Sequence, residues 1–252
     1  MALAAVLLVL TLAPLLLILR KDPADYRAFK SLTDTRARQR RIRIWTLKSF
    51  LLYGFGSLVA LAILGRFPAL IIFPPEFQRL SNFFAALVPI QSSAMTGFFI
   101  GFGAALACSL IVGILLARRK NKKQARKPVV LGDISPLLPR NWAETAHAAL
   151  LSLNAGFSEE LYFRLLLPLL LAILIGHAVP AFVLAALIFG LAHIYQGAIG
   201  VIATTIIGLL LTLIYLFSGS IWAAMAIHAF IDLTGLVIRP SISRIFARKQ
   251  PA

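Results

Sequence analysis

Long apolar stretches alternate with short polar or basic segments along the whole chain. Several of them approach or exceed the roughly 18–20 residues that cross the hydrocarbon core of a bilayer as a helix. A transmembrane β-barrel would instead show segments of about 10 residues with alternating polarity, and the sequence lacks that pattern. The predicted spans cover residues 2–19, 45–64, 94–117, 142–176, 179–195, 198–217 and 220–238. The pattern therefore predicts an all-α, polytopic transmembrane bundle of about seven to eight spans.

The uncertainty in the span count comes from the segment 142–176. At 1.5 Å per residue this segment is about 50 Å long, which exceeds one upright crossing. Pro168 removes a backbone hydrogen bond and is the predicted kink. Between the other spans we expect cytoplasmic loops over 20–44 and 118–141, and an outer-face loop over 66–93.

The composition and charge agree with a membrane protein. The 252 residues are 60% hydrophobic and carry a formal net charge of +16. The basic residues cluster in three segments that flank apolar stretches, as the positive-inside rule describes for cytoplasmic loops. We therefore expect contact with anionic lipid headgroups and no nucleic-acid partner. A single cysteine, Cys108, excludes an internal disulfide.

The domain organisation follows from these patterns. Residues 1–141 are expected to hold the N-terminal spans and the basic cytoplasmic loops, residues 142–238 a denser helical core, and residues 239–252 a basic cytoplasmic tail. The predicted protein is a multi-pass integral membrane protein. The plasma membrane and an internal membrane, such as the thylakoid, both fit the pattern.

The apolar core contains charged and titratable residues that are expensive to place in a bilayer. A charged side chain at the bilayer centre costs roughly 2.5–3.5 kcal/mol on insertion scales, so such residues usually serve a function. Three pairs share a spacing of four residues, which puts both members on one face of a helix. The pairs are Glu160 with Arg164, Phe189 with His193, and His228 with Asp232, and Glu159 directly precedes the first pair.

These residues predict an intramembrane polar cavity that activates water. Glu160 is expected to form a structural ion pair with Arg164, which leaves Glu159, about 100° around the helix, to face another neighbour. A buried carboxylate beside a second carboxylate is suited to taking a proton from water near neutral pH. His193 could hold that water. His228, oriented by Asp232, could donate to a developing oxyanion.

The three motifs resemble those of the CPBP family of intramembrane proteases, which is named for CAAX proteases and bacteriocin-processing enzymes and is also called the Abi family. The family motif E-E-x-x-x-R corresponds to Glu159-Glu160-Leu-Tyr-Phe-Arg164. The motif F-x-x-x-H corresponds to Phe189-Gly-Leu-Ala-His193, and H-x-x-x-N/D to His228-Ala-Phe-Ile-Asp232. Each motif alone is weak, but their ordered occurrence is specific. The resemblance covers about residues 143–237.

The resemblance implies a helical fold with a conical cavity and peptide-bond hydrolysis, with CAAX-type C-terminal processing as one form of it. It also implies that Glu159 and His193 activate the water, that His228 and Asp232 form the oxyanion side, and that Glu160, Arg164 and Phe189 support them. The eukaryotic CAAX branch typically has Asn at position 232. An ionised Asp cannot donate a hydrogen bond, so Asp232 would be protonated or would orient His228.

The family has been described both as metal-dependent and as glutamate-dependent, and the residues allow both. Zinc or another divalent metal would be held by Glu159, His193 and His228. The sequence has no H-E-x-x-H motif, and the candidate ligands come from three separate segments, which favours glutamate-activated water without a metal or other cofactor.

Two readings from other classes remain open. One is a non-catalytic membrane scaffold or bacteriocin self-immunity protein, and the other is a proton-coupled carrier. The expected partners of the endopeptidase are a protein or peptide substrate, with prenylated peptides included, and the lipid bilayer.

Overall fold

The structure, a computed structural model, describes residues 1–87 and 132–248. Within these residues it is helical, with short turns and no strand. The α-helices in chain order are α1 (Ala2–Lys30), α2 (Thr35–Ser49), α3 (Gly56–Ile63), α4 (Pro75–Leu87), α5 (Trp142–Glu160), α6 (Leu167–Ile175), α7 (Ala178–Leu191), α8 (Gly197–Ser218), α9 (Ile221–Asp232) and α10 (Arg239–Arg248). The all-α class predicted from the sequence is confirmed.

Three π-helical turns join neighbouring α-helices without a break. Phe50–Phe55 joins α2 to α3, Leu161–Leu166 joins α5 to α6, and Leu233–Ile238 joins α9 to α10. In each turn the backbone bonds reach back five residues, as where the N–H of Leu167 donates to the carbonyl of Tyr162. Such turns are rare and frequently occur at functional sites.

Four helices of the described residues are long and apolar enough to cross a membrane. They cover Ala2–Lys30, Thr35–Ile63, Ile194–Ser218 and Ile221–Ile245, and Ala178–Leu191 is a shorter apolar helix. Large apolar side chains on their outer faces are exposed, as expected for contact with lipid tails. The protein is therefore an integral membrane protein. The predicted span 94–117 lies outside the described residues.

The prediction of loops in the N-terminal half is wrong in two places. The basic stretch 20–44 is mostly helical, because α1 continues to Lys30 and α2 begins at Thr35. The side chain of Asp34 caps α2 by accepting the N–H of Ala37 at 2.7 Å, and a cap of this kind stabilises even a strongly basic helix. The expected outer-face loop contains a 3₁₀ turn, Phe67–Leu70, and α4. The expected basic tail begins with α10.

The centre of the bundle is the continuous helix formed by α5, the π-helical turn and α6. Every residue from Leu161 to Leu170 is buried, so the buried side chains surround the axis, which is typical of a central helix. The π-helical turn ends at Leu166, shortly before the predicted kink at Pro168. Proline has no backbone N–H, so it cannot continue the regular backbone hydrogen bonding of the helix. Helix α5 packs against α2 on one side and α9 on another.

The contact between α5 and α9 is unusually close at Gly156. A Cβ atom there would lie 2.6 Å from both the Cβ and the backbone nitrogen of Ala229. Because no ordinary contact is that short, a glycine at this position lets the two helices approach.

We predict that Gly156→Ala lowers the free energy of unfolding by about 1–3 kcal/mol, because the new methyl group must separate α5 from α9. Gly235→Ala is the matched control, since a Cβ atom at Gly235 would meet nothing within 4 Å. Thermal and denaturant unfolding in detergent micelles measure both variants. Equal midpoints for the two variants would contradict the close helix contact.

Candidate active site

The two adjacent glutamates lie at the end of α5 and point to different neighbours. The carboxylate of Glu160 is fully buried, while that of Glu159 keeps 15% of its surface exposed. Glu160 contacts Arg164 and His228, and Glu159 lies beside His193. The backbone period of 3.6 residues produces this division, because consecutive residues diverge by about 100° around the helix.

Glu160 is the centre of a buried polar cluster. Its Oε1 lies 3.0 Å from Nη1 of Arg164 and accepts a hydrogen bond of 2.7 Å from Nδ1 of His228. Arg164 is 1% exposed, and its guanidinium stacks on the ring of Phe189 at 4.1 Å. One carboxylate oxygen thus pairs with the cation of Arg164 and accepts a hydrogen bond from His228. The cluster ties the π-helical turn of Arg164 to α7 and α9.

The contact at His228 differs from the expected one. The spacing of four residues predicts that Asp232 orients the imidazole, but Nε2 of His228 lies 3.8 Å from Oδ2 of Asp232, too far for a hydrogen bond. Glu160 supplies the hydrogen bond instead, at the other ring nitrogen. Asp232 is also more exposed, with 31% of its side-chain surface accessible.

His193 lies just after the end of α7 and faces Glu159. Its Nδ1 donates a hydrogen bond of 2.8 Å to the backbone carbonyl of Phe189. A carbonyl oxygen can only accept, so Nδ1 carries the proton and, in the neutral ring, Nε2 presents a lone pair. That Nε2 lies 4.0 Å from Oε2 of Glu159. Oε2 of Glu159 is buried without a hydrogen-bond partner among the described residues.

Glu159 and His193 line a cavity of about 140 Å³. The N-terminal helices supply a large part of its wall, with Tyr26 from α1, Trp45 and Lys48 from α2, and Tyr53 from the π-helical turn. His228 and Asp232 are not among the residues that line it. The sequence motifs gave no sign of these wall residues, because the first 140 residues match the family only as generic spans.

In the described parts of the chain the three expected metal ligands are not gathered around one point. No group of three or more His, Cys, Asp or Glu side chains there is placed to hold a metal ion. Two of the three expected ligands, His193 and Glu159, face each other. The third, His228, instead forms a hydrogen bond through its Nδ1 to Glu160. These residues do not fit the expected set of Glu159, His193 and His228 around one metal.

We predict that Arg164→Met lowers the free energy of unfolding by about 3–5 kcal/mol, because it leaves the buried carboxylate of Glu160 without its cation. Unfolding in detergent measures the effect. The double variant Glu160→Gln/Arg164→Met should lose less than the sum of the two single variants, since it removes both charges.

Arg66→Met is the control for this experiment, because Arg66 pairs with Glu76 while 39% of its side chain is exposed. Exposed pairs contribute about 0–1 kcal/mol, so this variant should be close to wild type. Similar losses for Arg164→Met and Arg66→Met would show that the Glu160 cluster has no special role in stability.

Comparison with known proteins agrees with the resemblance found in the motifs. A model of the family described as type II CAAX prenyl endopeptidase Rce1-like matches residues 141–234. This range contains the Glu159-Glu160 pair, Arg164, His193, His228 and Asp232. Searches of curated proteins and of solved structures returned no match. The matched family is one of peptide hydrolases. Residues 141–234 are therefore similar to the Rce1-like family of type II CAAX prenyl endopeptidases, in agreement with the resemblance to the CPBP family.

Proposed function

We propose that the protein is an intramembrane endopeptidase that hydrolyses a peptide bond with water activated by Glu159. The observation that carries the proposal is the pairing of Glu159 and His193 at the edge of one cavity. A carboxylate oxygen without a hydrogen-bond partner and an imidazole lone pair face each other there. Two such acceptors, held by rigid helices in apolar surroundings, favour the binding of a water molecule between them.

The distance between the two acceptors suits one water molecule. The 4.0 Å from Oε2 of Glu159 to Nε2 of His193 is too long for a direct hydrogen bond. A water about 2.8 Å from each atom would see them at an angle of roughly 90°, close to the angle between its own two hydrogens. Both hydrogens would then be engaged, and a lone pair of the oxygen would be free to attack a carbonyl carbon.

The proposed reaction moves one proton through Glu159. The carboxylate takes a proton from water as the oxygen bonds to the carbonyl carbon of the peptide. Collapse of the tetrahedral intermediate breaks the C–N bond, and the carboxylic acid of Glu159 returns the proton to the leaving amine. His193 holds the water with its Nε2 and does not need to change its protonation state.

The second glutamate supports this division of roles. Because Oε1 of Glu160 accepts from Nδ1 of His228 and lies 3.0 Å from Nη1 of Arg164, Glu160 is a poor candidate for the base. We propose that the Glu160 cluster fixes the end of α5 and thereby the direction of Glu159. His228 acts mainly as a partner of Glu160, with Asp232 as the charge near its second nitrogen. Phe189 positions Arg164 by stacking and His193 through its carbonyl.

We propose that the substrate is a protein or peptide C-terminus that enters from the cytoplasmic side, with prenylated peptides as the first class to test. The cavity lies beside the basic ends of α1 and α2, which the positive-inside rule assigns to the cytoplasm. Exposed basic residues there would contact anionic headgroups. Because residue 232 is Asp and not Asn, unprenylated peptides need to be tested alongside.

We predict that Glu159→Gln reduces kcat for peptide cleavage by about 10²–10⁴-fold, since an amide cannot accept the proton from water. The assay uses purified protein in detergent with prenylated and unprenylated peptides. Glu76→Gln, on α4 and far from the motifs in sequence, is the matched control and should cleave like wild type.

The same assay separates the alternative functions. If Glu159→Gln cleaves every accepted substrate as well as wild type, the protease proposal is wrong. If the wild-type protein cleaves no peptide, and cells with Glu159→Gln keep the phenotype that the wild-type protein confers, the chain is a non-catalytic scaffold or immunity protein. Loss of proton-driven transport in that variant would indicate a carrier.

We further predict that removal of divalent metals with a chelator leaves cleavage within about twofold of the untreated enzyme, because a glutamate base needs no metal to deprotonate water. Activity before and after dialysis against 1,10-phenanthroline measures this. A loss that added zinc restores would contradict a metal-free mechanism and would assign Glu159 and His193 as ligands.

A further inference from the structure

The cavity beside Glu159 contains a second carboxylate, which the proposed reaction does not use. Asp22 of α1 is half-buried and lines the same cavity as Glu159 and His193. Ile18 and Tyr26, four residues before and after Asp22, line the cavity as well, so one face of α1 forms this part of the wall. The carboxylate of Asp22 therefore faces the space in which a substrate would be bound.

Asp22 differs from the next acid of α1 in its partners. Oδ2 of Asp25 lies 3.4 Å from Nη1 of Arg41 and 4.0 Å from Nζ of Lys48. Within residues 1–87 and 132–248, no basic side chain lies at ion-pair distance from Asp22. Asp25 is not one of the residues that line the cavity. Helix α1 thus has a paired acid outside the cavity and an acid without an ion pair on its wall.

The charges of the wall favour a positively charged ligand. Asp22 and Glu159 are its two acids, and Lys48 is its one basic residue within the described ranges. The side chain of Lys48 is 55% exposed, and its Nζ lies at ion-pair distance from Asp25. Water screens an exposed charge strongly, whereas a carboxylate beside apolar groups such as Ile18 attracts a cation more strongly. A cationic side chain of a substrate would therefore be stabilised at Asp22.

Aromatic contacts connect the wall at Asp22 to the pair of Glu159 and His193. The ring of Tyr26, one turn after Asp22, lies against the ring of Tyr195, with centroids 4.9 Å apart. The ring of Tyr195 lies 5.9 Å from the ring of His193 on its other side. A substrate side chain bound at Asp22 would therefore belong to a residue close to the scissile bond.

We propose that Asp22 is a specificity residue that binds the side chain of a Lys or Arg near the scissile bond of the substrate. The ion pair holds the bound peptide in the cavity, and Asp22 makes or breaks no covalent bond. Asp22 lies outside the family-matched segment 141–234, so the family match does not assign this role. The inference rests on the proposed endopeptidase function and names a class of peptide for it.

A set of peptides tests the role. Peptides with an acetylated N-terminus carry Lys, norleucine or Glu in turn at each position near the scissile bond. Norleucine keeps the aliphatic chain of Lys and lacks the ammonium group. At one position, wild type should cleave the Lys peptide with a kcat/KM about tenfold or more above that of the norleucine peptide.

Asp22→Asn should bring this ratio of Lys to norleucine close to one. The loss should appear in KM, because the ion pair is present both in the bound substrate and in the transition state. Asp25→Asn is the matched control, since it makes the same substitution on the same helix at a residue outside the cavity. It should keep the wild-type ratio.

Charge reversal separates direct recognition from a packing role. Asp22→Lys should cleave the Glu peptide faster than the Lys peptide, because the new ammonium group attracts the opposite charge. Asp22→Glu, which keeps the charge, should keep the preference for Lys. Thermal midpoints in detergent show which variants are folded. If Asp22→Glu and Asp22→Asn lose the preference equally, the role of Asp22 is packing and the proposal is wrong.

The outcomes distinguish this inference from the proposed function. Active wild type, inactive Glu159→Gln and an equal ratio of Lys to norleucine in wild type and Asp22→Asn would overturn the role of Asp22 alone. A wild-type preference for the Glu peptide would also overturn it and would assign recognition to Lys48. Wild type that cleaves no peptide would overturn both proposals.

Discussion

The hydrogen bond from His228 to the buried carboxylate of Glu160 is the contact on which the arrangement of the core depends. It joins the end of α5 to α9 across 68 residues of sequence. A charged group in apolar surroundings is tolerated only with partners of opposite charge or with donors, and Glu160 has both, in Arg164 and His228. Gly156 lies one turn before Glu160 and lets α9 approach at Ala229, next to His228. Because Gly156 has no side chain, α5 and α9 come close enough for the hydrogen bond between Glu160 and His228 to form.

The same contact explains how two adjacent carboxylates coexist. Side by side on a helix they would repel, and both would lose solvation in the membrane. Glu160 turns toward a cation and a donor inside the bundle, whereas Glu159 turns toward the cavity and His193. Oε1 of Glu160 lies against Arg164 and His228, whereas Glu159 presents its carboxylate at the cavity. The double-glutamate motif thus places one carboxylate inside the bundle and the other at the cavity from consecutive positions.

Local patterns predicted the parts of the fold that local interactions determine. The apolar stretches gave the all-α membrane class, and the spacing of four residues brought Glu160 to Arg164. These local patterns could not predict contacts between residues that are distant in the sequence. The partner of His228 is Glu160 and not the nearby Asp232, and the basic residue Arg38 is buried against Glu144 at 3.3 Å, 106 residues away.

The division between the matched segment and the N-terminal helices has a consequence for specificity. The residues proposed to activate water lie within 141–234, whereas Tyr26, Trp45 and Lys48 of the cavity wall lie before it. The two parts are held together by the buried ion pair between Arg38 and Glu144, with Nε and Oε2 3.3 Å apart. The residues that carry out a reaction common to a family can stay the same while the residues of the cavity wall differ between its members. We therefore propose that α1 and α2, which lie outside the matched segment 141–234, select the substrate of the proposed endopeptidase.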